Sequence, residues 1–315
     1  MPIDFSLLES QPASFNDDVT YLRQHVRAFL EAVDAREQLA AERVLPLPLG
    51  TWNAPFVFEP AGVVVKLSPW SDRFEADFLQ SAARVTPAIP RLLGYGELPD
   101  VRLPNACYVV MEYIAGTETA GARLDRGELS QPQRDRLASA LGAVLARIHT
   151  IRMPSLRAFN QPLADWGAAF GLWELRPTSV FDDALLARFE HALRQTRYRE
   201  HTDAMLTHSD ANLHNVLVDT VTGTFRALID PGPMIGGDTM YDLAYAAQPW
   251  NYGHSYQDHL LAAYQAAGGA FEPERFYAAL LSVAYLQNRD HHPHMPHARA
   301  YLETHVFPQL ERAAD

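Results

Sequence analysis

Residues 206–219 read LTHSDANLHNVLVD and, after a turn, residues 227–232 read ALIDPG. The two short apolar runs, Val216 to Val218 and Ala227 to Ile229, enclose turn-forming residues, which predicts a pair of strands joined by a tight connection. A polar loop carrying His208, Asp210 and Asn215 enters the first strand, and Asp230 leaves the second. Each of these residues alone is an ordinary turn former. Bracketed by strands at this spacing, they predict two carboxylates and an amide presented by neighbouring loops.

Upstream of this block, Tyr21, Leu22, Val26, Phe29, Leu30 and Val33 recur at helical spacing, predicting one amphipathic helix from Asp17 to about Arg43. From Val44 to Leu67 the pattern shortens: a turn in LPLGTWNAP, then FVFE, a Pro-Ala-Gly turn, and VVVKL, which together predict an antiparallel meander. A helix is expected from about Asp72 to Arg84, then a connector bounded by Pro87 and Pro90. An apolar strand, CYVVMEYI, follows at residues 107–114 and ends at Ala115-Gly116. Beyond Gly116 the pattern is mostly helical, including about Gln131 to His149 and several pieces after Met240. Strands early and helices late predict an α+β fold of two lobes, a small sheet-rich lobe over residues 1–113 and a larger, mainly helical one over 114–315.

The chemistry this pattern suits is phosphoryl transfer, which needs one carboxylate to orient an attacking hydroxyl. It also needs an amide oxygen and a second carboxylate to hold Mg²⁺ against a nucleoside triphosphate. Asp210 is the candidate for the first role, and Asn215 and Asp230 are the candidates for the metal. A phosphate-binding cation is also required. The chain has 25 arginines and one lysine, Lys66, which stands on the predicted strand VVVKL where a compact ammonium would suit the α- and β-phosphates. Glu75, at the start of the following helix, is the expected partner that keeps Lys66 in place, with Asp77 as the alternative. The strand end MEYI suggests a hinge whose main chain at Glu112 and Ile114 would meet the edge of a nucleobase, ATP or GTP. The turn containing Gly50 and Asn53 would cover the nucleotide, although it lacks a GxGxxG run.

The remaining polar residues read as scaffolding. Asp238 and Asp242 lie near a helix start, where carboxylates cap free amides. His149 is expected to bond the helix end or the loop, and His208 to brace the loop; His214 has no assigned role. His291, His292, His294 and His297 form a biased tract without HxxxH spacing or nearby cysteines, so it is not read as a metal site.

Composition narrows the partners. A net charge of -12 disfavours nucleic acid, whose phosphates need a basic footprint, and accommodates a cationic ligand more easily. Cys107 is the only cysteine, so no intrachain disulfide is possible, and the thiol reads as a buried small hydrophobe. A reducing cytoplasm fits that count. No stretch approaches the ~20 apolar residues that a bilayer span requires, and the first residues carry no export pattern. A monomer or weak dimer without membrane contact is expected.

Taken together, Lys66, Glu75, MEYI, His208-x-Asp210-x4-Asn215, Ile229-Asp230 and Gly237-Asp238-x3-Asp242-Leu-Ala resemble the aminoglycoside phosphotransferase family of the protein-kinase-like superfamily. The likeness runs in order over roughly residues 44 to 290. The stretch PRLLGYGEL at 90–98 and the layout around Lys66 look most like its hygromycin-phosphorylating branch. The resemblance implies a two-lobed kinase-like fold, ATP with Mg²⁺, and Asp210 as catalytic base. It also implies Asn215 and Asp230 as metal ligands, Lys66 as phosphate contact, and an aminoglycoside or related aminocyclitol antibiotic as acceptor. The same scaffold serves metabolites such as choline, homoserine or a sugar amine. A nucleotide-binding protein without turnover is the third reading, motivated by the missing glycine-rich run and by an unusual catalytic loop. Ser209 stands where the family usually has Gly, and Asn212-Leu-His214 stands where it usually has a small or glycine-containing stretch.

Overall fold

Lys66 lies within a central strand of a five-stranded antiparallel sheet in a computed structural model that describes residues 3–8, 16–47, 53–98, 100–158, 161–163, 175–196, 198, 203–290 and 296–312. The chain divides into two units, Met1–Ala83 with Ile89–Ala115, and Arg84–Ala88 with Gly116–Asp315.

The first unit holds helices α1 (Asp17–Gln24), α2 (Val26–Glu37) and α3 (Arg73–Ala82). Its strands are β1 (Arg43–Pro46), β2 (Ala54–Glu59), β3 (Val63–Ser68), β4 (Leu92–Glu97) and β5 (Cys107–Glu112), in the order β1-β2-β3-β5-β4. The Asn16 side chain caps α1 by accepting the amides of Asp18 and Val19. The single helix expected from Asp17 to Arg43 is two. It breaks at His25, where φ −109° and ψ 12° leave the helical region, and α2 stops where Gln38 turns left-handed at φ 54°. Arg43 belongs instead to β1, paired with Glu59 of β2. Leu22, Val26, Leu30 and Val33 of the helices pack with Phe56, Phe58, Val65 and Val110 of the sheet. Each such side chain contributes about 1.5–3 kcal/mol by leaving water. The sheet thereby becomes a rigid mount for Lys66, whose neighbours across the strands are Pro55 and Val109.

The second unit contains β6 (Thr117–Thr119), α4 (Ala120–Asp125), α5 (Gln131–Ile148), β7 (Arg157–Ala158), β8 (Gln161–Pro162) and α6 (Asp183–Gln195). It continues with β9 (Met205–Leu206), β10 (Val216–Asp219), β11 (Phe225–Leu228) and β12 (Gly236–Gly237). The closing helices are α7 (Thr239–Ala247), α8 (Pro249–Tyr252), α9 (His254–Ala266), α10 (Pro273–Asp290), α11 (Pro296–Tyr301) and α12 (Phe307–Arg312). Ser130 and Gln133 form a reciprocal capping box at the start of α5. That helix crosses α9 so closely that a Cβ at Gly142 would stand 2.3 Å from the Leu260 carbonyl oxygen, so only glycine fits there. Strands β11, β10 and β6 form a small antiparallel sheet, and β10 pairs with β11 through Val216↔Leu228 and Leu217↔Ala227. Among the described residues, no helix is long and apolar enough to cross a membrane.

Candidate active site

In the first unit, Lys66 Nζ lies 2.6 Å from Glu75 Oε2, and both side chains are buried. Alternation along β3 turns Lys66 toward the opening turn of α3, where Glu75 is the acidic residue. Asp77, the alternative partner, sits 3.8 Å from Arg73 on the outer side of the same helix. The main-chain N–H of Glu112 donates to the Arg91 carbonyl at 3.0 Å, and that of Tyr113 donates to the Gly62 carbonyl at 3.1 Å. The expected nucleobase contact at Glu112 therefore cannot use its amide. Its carboxylate faces Arg91 at 3.2 Å. Ile114 follows β5, and Asn53 immediately precedes β2. Gly50 lies outside the described residues, as do His291, His292 and His294 of the histidine tract. Cys107 is buried, and its thiol is pushed up to about 12, chiefly by burial and then by the charge of Asp72.

In the second unit, the β10–β11 ladder gathers Asp210, Asn215 and Asp230. It continues one bond past the strands, with the Ile229 amide donating to the Asn215 carbonyl at 2.9 Å, so Asn215 and Asp230 become neighbours. Asn215 Nδ2 donates to Asp210 Oδ2 at 2.8 Å and to the Asp210 carbonyl at 2.8 Å, with a longer 3.4 Å contact to the Asp230 carbonyl. Asn212 Nδ2 donates to the other carboxylate oxygen, Asp210 Oδ1, at 2.7 Å.

Burial and then the nearby Asp230 charge push the Asp210 carboxyl up to about 7, against the opposing hydrogen bonds from Tyr245, Asn215 and Asn212. Burial and the Asp210 charge together push the Tyr245 phenol upward, so it remains a donor. With Asn215 Nδ2 turned to three oxygens, its Oδ1 points the other way. That amide oxygen and the Asp230 carboxylate are hard donors of the kind Mg²⁺ takes when phosphates supply further ligands. The repulsion between Asp210 and Asp230 is what a divalent cation at Asp230 would relieve, so the residues fit the ion. Among the described residues, no group of three or more His, Cys, Asp and Glu side chains gathers into a ready-made metal cage.

The loop is braced by His208, as expected, and from behind by Asp242, whose reach to it spacing does not reveal. Of the two carboxylates near the start of α7, Asp238 caps it, accepting the Met240 amide at 2.9 Å. Asp242 instead accepts the amides of His208 at 2.7 Å and Ser209 at 2.8 Å, together with His149 Nε2 at 3.0 Å. Burial works to raise its pKa, but hydrogen bonding and charge from His149 and the bond from His208 outweigh it and leave the carboxyl below its ordinary value. His149 Nδ1 meets the Tyr264 hydroxyl at 3.0 Å. His208 Nε2 donates to the Ile229 carbonyl at 2.9 Å and Nδ1 accepts the Asp210 amide at 3.3 Å, tying both loops through one imidazole.

Ser209 and Asp230 both have left-handed backbones, at φ 57° and 58°. The Ser209 hydroxyl accepts the Met234 amide at 3.2 Å, which fastens the strained turn. A Cβ on Gly232 would lie 2.6 Å from that hydroxyl, so the Pro231-Gly232 pair lets the two loops touch. Tyr245 is likewise a contact that the sequence does not single out, whereas Asn212 stands in the stretch that departs from the family pattern. His214 Nε2 is 3.9 Å from Asp125 Oδ1 on an exposed surface.

A family model described as "Phosphotransferase enzyme family" matches residues 64–279. No curated protein sequence matches significantly. Among solved structures, aminoglycoside phosphotransferase APH(4)-Ia aligns with a TM-score of 0.58 at 18% identity, covering 92% of this chain and 99% of that one. The enzyme APH(3'')-Id from Streptomyces rimosus aligns with a TM-score of 0.53 at 18% identity, covering 83% and 98%. A glucosamine kinase aligns with a TM-score of 0.58 at 17% identity, covering 97% and 86%. A thermostable mutant of APH(4)-Ia has been captured as a ternary complex with AMP-PNP and hygromycin B. At these identities the likeness establishes the two-lobed α+β fold.

Proposed function

This chain belongs to the phosphotransferase enzyme family, and from that premise we propose that it is a kinase moving the γ-phosphate of ATP to a hydroxyl of an aminoglycoside or related aminocyclitol. In this reading the first unit is the nucleotide-binding lobe and the second is the catalytic and acceptor-binding lobe. The carrying observation is the arrangement of Asp210, whose two carboxylate oxygens are each bonded by an amide, beside the oxygen donors Asn215 and Asp230.

The acceptor oxygen attacks the γ-phosphorus while the bond from that phosphorus to the β–γ bridging oxygen breaks, releasing ADP. The hydroxyl proton passes to Asp210. With both oxygens fixed, the main contribution of Asp210 is to aim the hydroxyl, with proton acceptance following late in a loose transition state. Mg²⁺, when bound, neutralises triphosphate charge; Asn215 Oδ1 and the Asp230 carboxylate would hold it. Lys66, kept in place by Glu75, would meet the α- and β-phosphates. The net charge of -12 and the ternary complex of APH(4)-Ia with hygromycin B support a cationic acceptor, and the single buried cysteine supports a cytoplasmic setting.

The glucosamine kinase likeness, over 97% of this chain, supports a second reading in which the acceptor is a sugar amine or another small metabolite alcohol such as choline or homoserine. Measuring ATP consumption with hygromycin B, other aminoglycosides, glucosamine, choline and homoserine separates the two, with mass spectrometry locating the new phosphate. Turnover confined to a metabolite would reject the antibiotic acceptor. Asp210→Ala should lower turnover at least ~100-fold while nucleotide binding persists; full activity in that variant would remove the kinase reading.

A further inference from the structure

Asn212 is absent from the base-and-ligand set, yet its side chain acts on two groups at once. Its Oδ1 accepts the His214 amide at 2.8 Å, capping the three-residue 3₁₀ turn Leu213–Asn215. Its Nδ2 donates to Asp210 Oδ1 at 2.7 Å. The turn that it caps ends on Asn215, whose own Nδ2 donates to Asp210 Oδ2 at 2.8 Å.

A carboxylate bonded through one oxygen still swings about its terminal torsion, which is broad and roughly two-fold. Two donors rooted in a single short turn, one on each oxygen, fix the plane of the group. From this geometry we infer that Asn212 is a positioning residue: it sets the plane of the Asp210 carboxylate, and so the direction from which an acceptor hydroxyl can approach. The inference rests on the kinase reading. It also gives a physical meaning to the departure noted in the sequence, since a small residue at this place would remove the donor on Oδ1 and leave Asp210 only the bonds from Asn215 and Tyr245. The two roles of the side chain are separable. Serine still caps a turn through its oxygen but carries no amide to reach Asp210. Aspartate also caps, but turns an acceptor toward the Asp210 carboxylate.

The test uses the full chain with Mg·ATP, with hygromycin B, other aminoglycosides, glucosamine, choline, homoserine and water in turn as acceptor. The readouts are kcat, KM for ATP, and the melting temperature. Asn212→Ser should lower kcat by about 10–100-fold, the scale of a misaimed reacting group, with KM for ATP within about 2-fold and Tm nearly unchanged. Asn212→Asp should lower kcat further at the same KM, and it serves as the second variant if the serine form folds poorly. A kcat within about 3-fold of the parent in folded Asn212→Ser would overturn the inference while leaving the kinase reading intact, and so would a loss matched by Tm and KM. A parent protein that consumes no ATP with any acceptor would remove both.

Discussion

Replacing Asp242 with asparagine removes one charge and leaves the side chain's shape almost unchanged, which makes Asp242→Asn a clean probe of what holds the loop. The carboxylate accepts three donors, the amides of His208 and Ser209 and the imidazole of His149, at 2.7, 2.8 and 3.0 Å. An asparagine has one acceptor oxygen, and its NH₂ group would face a donor. At least one charge-assisted bond is lost, each worth about 1.5–3 kcal/mol, and a buried N–H is left bare at about 1–3 kcal/mol. The expected loss for the second unit is therefore about 3–5 kcal/mol. With a urea slope of about 2–3 kcal/mol per molar, the midpoint of its unfolding should fall by about 1–2.5 M.

Equilibrium unfolding followed by circular dichroism reads this shift, with the exposed Asp258→Asn as a control expected to change stability by about 0.5 kcal/mol at most. The gap should also depend on pH. The Asp242 pKa is depressed in the folded protein, so its contribution is complete above the ordinary carboxylate value of about 3.9 and is lost as pH falls through the folded value. The parent and Asp242→Asn should therefore converge at strongly acid pH. A midpoint shift below about 0.3 M at pH 7, or a gap that widens in acid, would refute the claim that this carboxylate braces the loop.

Two further outcomes follow from the first unit. Lys66→Met should lose about 3–5 kcal/mol because Glu75 is left charged and buried, and Lys66→Met/Glu75→Gln should regain most of that stability in thermal unfolding without regaining ATP turnover. Equal recovery of both would place Lys66 in packing alone. Cys107, with its thiol raised to about 12, should resist iodoacetamide at pH 8 in the native protein and react once urea unfolds the chain; rapid native labelling would contradict its burial.

What was legible in the sequence was local. Alternation placed Lys66 on a strand, and the first turn of the next helix supplied Glu75, because strand and helix periods are written in neighbouring residues. The catalytic-loop spacing came from short runs bracketed by turns. The misreadings have equally local causes. Leu22 and Val26 keep helical spacing across His25, so nothing in the pattern marks the break, and the short strands RVLP and LLGYGE carry a proline and two glycines that weaken a strand signal. The pattern presents Asp242 as a cap because its partners, His208 and Ser209, lie more than thirty residues away, and spacing cannot report a contact made through folding. Ser209 departs from a glycine position, and spacing gives no sign that its hydroxyl accepts the Met234 amide.

The chain passes between its two units more than once. Residues Arg84–Ala88 belong with the second, and the Ala88 carbonyl accepts the Leu228 amide at 2.9 Å. On the ribosome, therefore, that short stretch emerges about 140 residues before its partner strand is made, a wait of roughly 7–28 s at 5–20 residues per second. The first unit can fold around its own sheet during that interval, but the stretch leading into β4 remains untied until β11 appears. A fragment beginning at Gly116 would lack the acceptor of the Leu228 amide, so cutting the gene at the apparent border would separate a hydrogen-bonded pair rather than two independent folding units.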